Sequence, residues 1–332
     1  CGFVRIYSDA ISLSRQHEEL QAATRIPLII SADFERGIGS TVSGAVEMVG
    51  NMCLGAANDE NLAYETGLAI SQEAMAMGVN MNYVPVMDVN VNADNPIINI
   101  RAFGSNPELV ARLGSAFIRG SRDAGILTCA KHFPGHGDTS TDTHSSLAVI
   151  NKSRAQLDAV ELQPFRAAIA AGVDSIMSAH IAMPQIDPEG VPATLSRRVL
   201  TDLLRGELGF EGMVVSDALE MGAITRHFTP REAIIRAFNA GVDQLIMPTD
   251  NARSVAIIVD AVRSGEITGE RLDEAVGRIL TAKESAGILD RSYSAPPDLA
   301  IRVNTPEHQR TALDAALRSE EHTSELQSLS HL

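Results

Sequence analysis

"AGILTCAKHFPGHG", residues 124–137, opens with a glycine where a helix would stop, continues as an unbroken apolar run, and ends on Lys131 and His132. An apolar run that does not alternate with polar residues predicts a strand buried on both faces, as in a parallel sheet covered by helices. The same unit recurs in "MGVNMNYV" (77–84), "AGVDSIM" (171–177) and "AGVDQLIM" (240–247), each with a glycine directly before the apolar run. Strands are accordingly expected at 2–7, 26–33, 81–89, 126–133, 175–183, 212–219 and 243–248.

Helices are expected between them. After Asn106 and Pro107, the residues Leu109, Val110, Leu113, Ala116 and Phe117 follow the rhythm of a buried stripe, and Gly125 closes the segment. Ser153 and Gln156 form a capping-box pattern ahead of Leu157, Val160, Phe165 and Ile169, with Gly172 at the end.

Strand and helix alternation fits either a doubly wound sheet or a (β/α)8 barrel. Polar residues decide between them. Asp33, Asp88, Lys131 with His132, His180, Asp217 and Pro248 close six different apolar runs. Many strand ends converging on one site is the barrel's habit, whereas a doubly wound sheet gathers ligands at one switch point. The expected fold is therefore an α/β (β/α)8 TIM barrel. Seven strands are visible, so the first strand and helix are expected upstream of Cys1, which makes the chain an N-terminally truncated barrel over residues 1–290.

Beyond it, "SYSAPPDLAIRVNTPEHQ" (292–309) carries three prolines and few large apolar residues, so 291–317 reads as a linker and the start of a second domain. "RSEEHTSELQS" (318–328) breaks the preceding helical pattern and resembles the translation of a sequencing-library adapter; 318–332 is set aside as a non-native tail.

The 332 residues carry a formal charge of -15, which argues against nucleic acid and anionic membrane surfaces as partners. No apolar run reaches the roughly 18 residues of a membrane span. Cys1, Cys53 and Cys129 are far apart with no CxxC pair, so neither a disulfide framework nor a zinc ribbon is indicated. The chain is expected to be a monomer acting on a small molecule. The sequence leaves its cellular location open.

The loop after the fourth apolar run, "KHFPGHGDTSTDTHSSL" (131–147), is rich in histidine. A metal site is one reading, but Pro134 forbids a regular helix between His132 and His136, and no HxH pair occurs, so no metal and no cofactor are expected. A proton-transfer loop is the other. Asp142 lies two residues before His144, and a carboxylate accepting an imidazole N–H fixes the tautomer and favours the protonated ring. Asp217 in "GMVVSDALEM" (212–221) ends an apolar run where Val or Ile is usual. A carboxylate nucleophile opposite a general acid is the minimal equipment for retaining glycoside hydrolysis.

"KHFPGHGDTSTDTH", "SDALEM", "RAFG" and "ATLSRRVLTDLLRGELGFEG" together resemble the β-N-acetylglucosaminidase branch of glycoside hydrolase family 3, from about residue 2 to 290. The resemblance implies Asp217 as nucleophile, His144 as acid/base and Asp142 as the carboxylate paired with it. It implies that Lys131, His132, Arg101 and Asp33 grip the sugar hydroxyls, with His180 near the sugar. It further implies removal of terminal β-linked N-acetylglucosamine from cell-wall fragments or chitooligosaccharides. A neutral deprotonated histidine would not repel phosphate, so phosphorolysis is an alternative. An inactive sugar-binding remnant is another. Family β-glucosidases and β-xylosidases draw their acid/base from a second domain and lack the D-x-H loop, so "DTH" argues against that branch. The family's usual D-Q-E-G-G-R appears here as "DFERGIGS" (33–40), which keeps the Asp and Glu and changes the residues after them.

Overall fold

A computed structural model describes residues 2–3, 8–290 and 293–329. Seven parallel strands form one sheet in sequence order: β1 (Gly2–Phe3), β2 (Ile30–Ala32), β3 (Met81–Asn82), β4 (Leu127–Phe133), β5 (Ser175–Ser178), β6 (Met213–Ala218) and β7 (Gln244–Ile246). All seven expected strands contain one of these, in shorter form. Residues 4–7 of the first expected strand lie outside the described residues. Beyond Asn82 the third is irregular: Pro85 has no N–H to donate, and only Val86 bridges Lys131.

The sheet is curled. Tyr83, just past β3, donates its hydroxyl to Ser31 at 2.8 Å and accepts from Gln244 Nε2 of β7 at 3.2 Å, a contact a flat sheet would not permit between its third and seventh strands. Met81, Leu127, Cys129, Met177, Met213, Val215 and Ile246 form one buried cluster inside the curl, and every position of β4 is buried. Burial on both faces is why these runs are uniformly apolar. Among the described residues, β1 and β7 do not pair with each other, so the sheet is an open curl of seven strands.

Helices cover the outside. Pro107–Asp123 begins as its sequence dictates: the Asn106 side chain accepts from the Leu109 N–H, and Pro107 occupies the first turn. Ser153 and Gln156 form the expected capping box, but the helix breaks after Ala159 and resumes at Leu162–Ala170. Pro164 is the cause, because its ring displaces the carbonyl four residues back, at Val160.

The segment expected to be a linker packs against this body instead. Leu299, Val303 and Ala315 are buried in the same cluster as Leu62, Ala63, Ile70 and Phe117. Glu73, fully buried on the helix Glu60–Ala76, accepts from the Val46 and Asn304 N–H groups and from His308 Nδ1 at 2.8 Å. A buried carboxylate needs such partners, and two of the three come from residues 304–308. Three small or medium apolar side chains and one carboxylate–histidine hydrogen bond are too sparse a pattern to read as packing from sequence. The helix Pro306–Leu329 also runs through Arg318 without the break expected there.

Candidate active site

The C-terminal ends of the strands open into a cavity of about 860 Å³. Its floor is ionic. Lys131, at the end of β4 and 1% exposed, donates to Asp33 Oδ1 at 2.5 Å and lies 2.7 Å from Glu35 Oε1. Arg101, in the short turn Asn99–Arg101, gives both Nε (2.8 Å) and Nη2 (2.7 Å) to Glu35. Two cations and two anions thus interlock, and such forked pairs hold a geometry as well as a charge. Asp33 remains 44% exposed toward the cavity, with an oxygen free of Lys131. Arg101 thus has Glu35 as its carboxylate partner.

Burial would raise the Glu35 carboxyl, but Lys131 and Arg101 outweigh it and hold Glu35 well below the usual carboxylate range. A carboxylate depressed on folding contributes stability above its unfolded pKa of about 4.3, and that stability is lost as pH falls through the lower folded value. Glu35→Gln is expected to destabilise the protein at neutral pH by about 3–5 kcal/mol, the cost of breaking a buried ion pair from one side. The gap between variant and parent should narrow in urea unfolding as pH drops below about 4.3. A gap unchanged between neutral and acid pH would exclude an ionic role for Glu35.

The histidines divide by surroundings. His132 Nδ1 donates to Asp88 Oδ2 at 2.7 Å, and Asp88, fully buried at the end of the third run, also accepts the backbone N–H groups of His132 and His136. His132 Nε2 lies 3.4 Å from Arg101 Nη2, so this ring joins the ionic floor. His136 is buried with its two ring nitrogens against the Thr139 (2.8 Å) and Thr143 (3.1 Å) hydroxyls, and burial lowers its pKa. Among the described residues, no group of three His, Cys, Asp or Glu side chains is arranged to hold a metal ion.

Asp217 ends β6 and lines the cavity, with Oδ1 accepting from the Ala218 N–H at 2.8 Å. Burial pulls its pKa up, but His180, His132, that N–H and Lys131 outweigh burial and leave it below the usual carboxylate value. His180 does not line the cavity. It is fully buried, its Nε2–H donating to the Ala218 carbonyl at 2.9 Å and its Nδ1 lying 2.8 Å from the Thr194 hydroxyl. Burial lowers its pKa and the Asp217 carboxylate opposes that, and the ring braces the backbone next to Asp217.

Asp142 and His144 form the expected pair. Asp142 Oδ1 accepts both the backbone N–H and Nδ1–H of His144 at 2.8 Å, leaving Nε2 as the other ring nitrogen. Their side chains are 46% and 66% exposed, and His144 lines the same cavity as Asp217. The loop is tied to the β6 end by two backbone bonds: Gly222 N–H to the His144 carbonyl (3.0 Å) and Ala223 N–H to the Thr143 carbonyl (3.2 Å).

The cavity therefore gathers Asp33, Arg101, Lys131, His132, His144 and Asp217, with Asp142 and His180 acting from just behind it. Sequence reasoning passed over Glu35 as a site residue. Its signal was its place two residues after Asp33, in the turn that follows β2.

Residues 7–282 match the model of the Glycosyl hydrolase family 3 N terminal domain. A beta-hexosaminidase A from Pseudoalteromonas piscicida is 35% identical over 322 residues, covering 90% of this chain and 53% of the relative. The structure of a glycoside hydrolase family 3 beta-N-acetylglucosaminidase from Paenibacillus sp. str. FPU-7 superposes with a TM-score of 0.90 at 40% identity, covering 94% of this chain and 60% of that one. A beta-glucoside phosphorylase structure superposes with a TM-score of 0.90 at 32% identity, covering 94% and 58%. The chain spans about half the length of the first of these relatives.

Proposed function

Because this chain belongs to glycosyl hydrolase family 3, we propose that its cavity is the site of a retaining exo-β-N-acetylglucosaminidase. The substrate is a non-reducing terminal β-linked N-acetylglucosamine on a cell-wall fragment or chitooligosaccharide. One observation carries the reading: an Asp142-held His144 and a half-buried, ionised Asp217 line one cavity.

Asp217 attacks the anomeric carbon while His144 donates its Nε2 proton to the leaving oxygen. His144 enters this step with a proton on each ring nitrogen, its Nδ1–H held by Asp142, and leaves it neutral. In the second step the now neutral His144 takes a proton from water, which attacks the glycosyl-aspartate and releases the sugar with net retention. Asp33, Lys131, Arg101 and His132 offer charge-assisted bonds to hydroxyls, the orienting force available to a neutral sugar. The fold that goes with this reading is the (β/α)8 barrel, supported by strands in unbroken sequence order and by catalytic groups at their C-terminal ends.

Phosphorolysis is the second reading. It is favoured by the likeness to a beta-glucoside phosphorylase and by an acid/base that is neutral after giving up its proton. Paired chromogenic β-N-acetylglucosaminide and β-glucoside substrates, each with and without phosphate, separate the possibilities. The expected result is faster release from the N-acetylglucosaminide, with free sugar as product in both buffers. A sugar 1-phosphate formed in phosphate buffer would select phosphorolysis, and a dominant glucosidase rate would overturn the substrate assignment.

A further inference from the structure

The acid/base loop presents a mechanical problem. His144 and Asp142 are largely exposed, yet a proton donor must be held within hydrogen-bond reach of the leaving oxygen. Most of the loop's bonds near them are internal, such as the Ser145 and Ser146 N–H groups to the Asp142 carbonyl. Contacts from residues 142–146 to groups beyond that stretch lie on two sides. On one side, the Thr143 hydroxyl meets His136 Nε2, and His136 is itself fixed by its N–H to buried Asp88. On the other, Gly222 and Ala223 donate to the carbonyls of His144 and Thr143.

Gly222 lies five residues after Asp217, at the start of the short helix Gly222–Thr225. A Cβ built on it would meet the backbone oxygens of His144 at 2.7 Å and Ser145 at 2.8 Å, and the Ser145 carbonyl carbon at 3.0 Å. All three are main-chain atoms, so no side chain can turn aside to make room. The loop itself would have to move.

We infer that Gly222 is the positioning residue that sets the acid/base loop against the nucleophile's strand, with Thr143 and His136 as the opposing strut. The inference rests on His144 as the acid. It gives the glycine a task unrelated to backbone freedom: its missing side chain allows the loop to approach to hydrogen-bond distance. The chain that carries Asp217 then fixes how far His144 stands from it.

The test compares Gly222→Ala, Thr143→Val and His144→Ala on two β-N-acetylglucosaminides, one with an alkyl leaving group that needs a proton and one with a dinitrophenyl group that does not. Displacement of a catalytic group by about 1 Å can cost on the order of 10²-fold. Gly222→Ala is expected to lose about that much kcat/KM, which reads the first step alone, on the alkyl substrate, with the dinitrophenyl kcat/KM unchanged. Thr143→Val, which keeps the side-chain shape and loses only the hydroxyl, should lose less and in the same pattern. It also reports on the loop if Gly222→Ala does not fold. Equal losses of kcat/KM on both substrates, or no loss on either, would overturn the positioning role while leaving His144 as the acid. If His144→Ala itself shows no dependence on leaving group, the acid assignment fails and the role of Gly222 fails with it.

Discussion

Asp217→Ala is expected to lower kcat on a β-N-acetylglucosaminide by on the order of 10⁴- to 10⁶-fold, the scale seen when a nucleophilic unit is broken. Two contributions vanish together. The proposed covalent glycosyl-aspartate cannot form, and the negative charge facing the oxocarbenium-like transition state is removed. Asp217 is well placed for both, because His180, His132, the Ala218 N–H and Lys131 outweigh burial and keep it ionised. The fold should survive, because the side chain bonds to the next residue's backbone and ties no distant segments together. A small anion such as azide, admitted to the vacated space, is expected to restore part of the rate and release an α-configured glycosyl azide, because it attacks from the face Asp217 used. A folded Asp217→Ala protein with near-parental turnover would place the nucleophile elsewhere.

The second large effect concerns His144. General acid-base help is typically worth about 10²- to 10⁴-fold, and His144→Ala should lose that much on an alkyl or sugar leaving group. On a dinitrophenyl leaving group the first step needs no proton, so the loss in kcat/KM should shrink sharply, while kcat stays low because the second step still lacks its base. Asp142→Asn should show the same pattern to a smaller degree, because an amide oxygen holds the His144 Nδ1–H less firmly than a carboxylate does. Loss independent of leaving group would assign His144 to substrate binding.

The strand pattern was legible because burial on both faces leaves no polar position to confuse the period. β4 shows this most clearly, with all seven residues buried and its last polar pair, Lys131 and His132, delivered to the cavity. The Asp142–His144 pair was legible for a related reason. Partners two residues apart can meet whatever the rest of the chain does.

Other features depend on groups far apart in sequence. Arg101 meets Glu35 only because the turn at residues 99–101 packs over the segment after β2, 66 residues away. Glu73 finds His308 across 235 residues, so a stretch with a linker's composition becomes part of the body. The break after Ala159 lies between these cases: Pro164 is a local signal, and it acts on the carbonyl four residues before it.

By itself, then, the sequence determined the alternation of buried strands and helices, the strand ends where polar residues gather, and the local carboxylate-histidine pair. Each arises from periodicity or from neighbours along the chain. Only the tertiary structure decided which cation faces which anion, that His136 and His180 brace the site from behind, that residues 293–320 pack against the body, and that Gly222 meets the backbone of the loop bearing His144. Those outcomes depend on which segments the curled sheet brings within a few ångströms, and no local pattern records that distance.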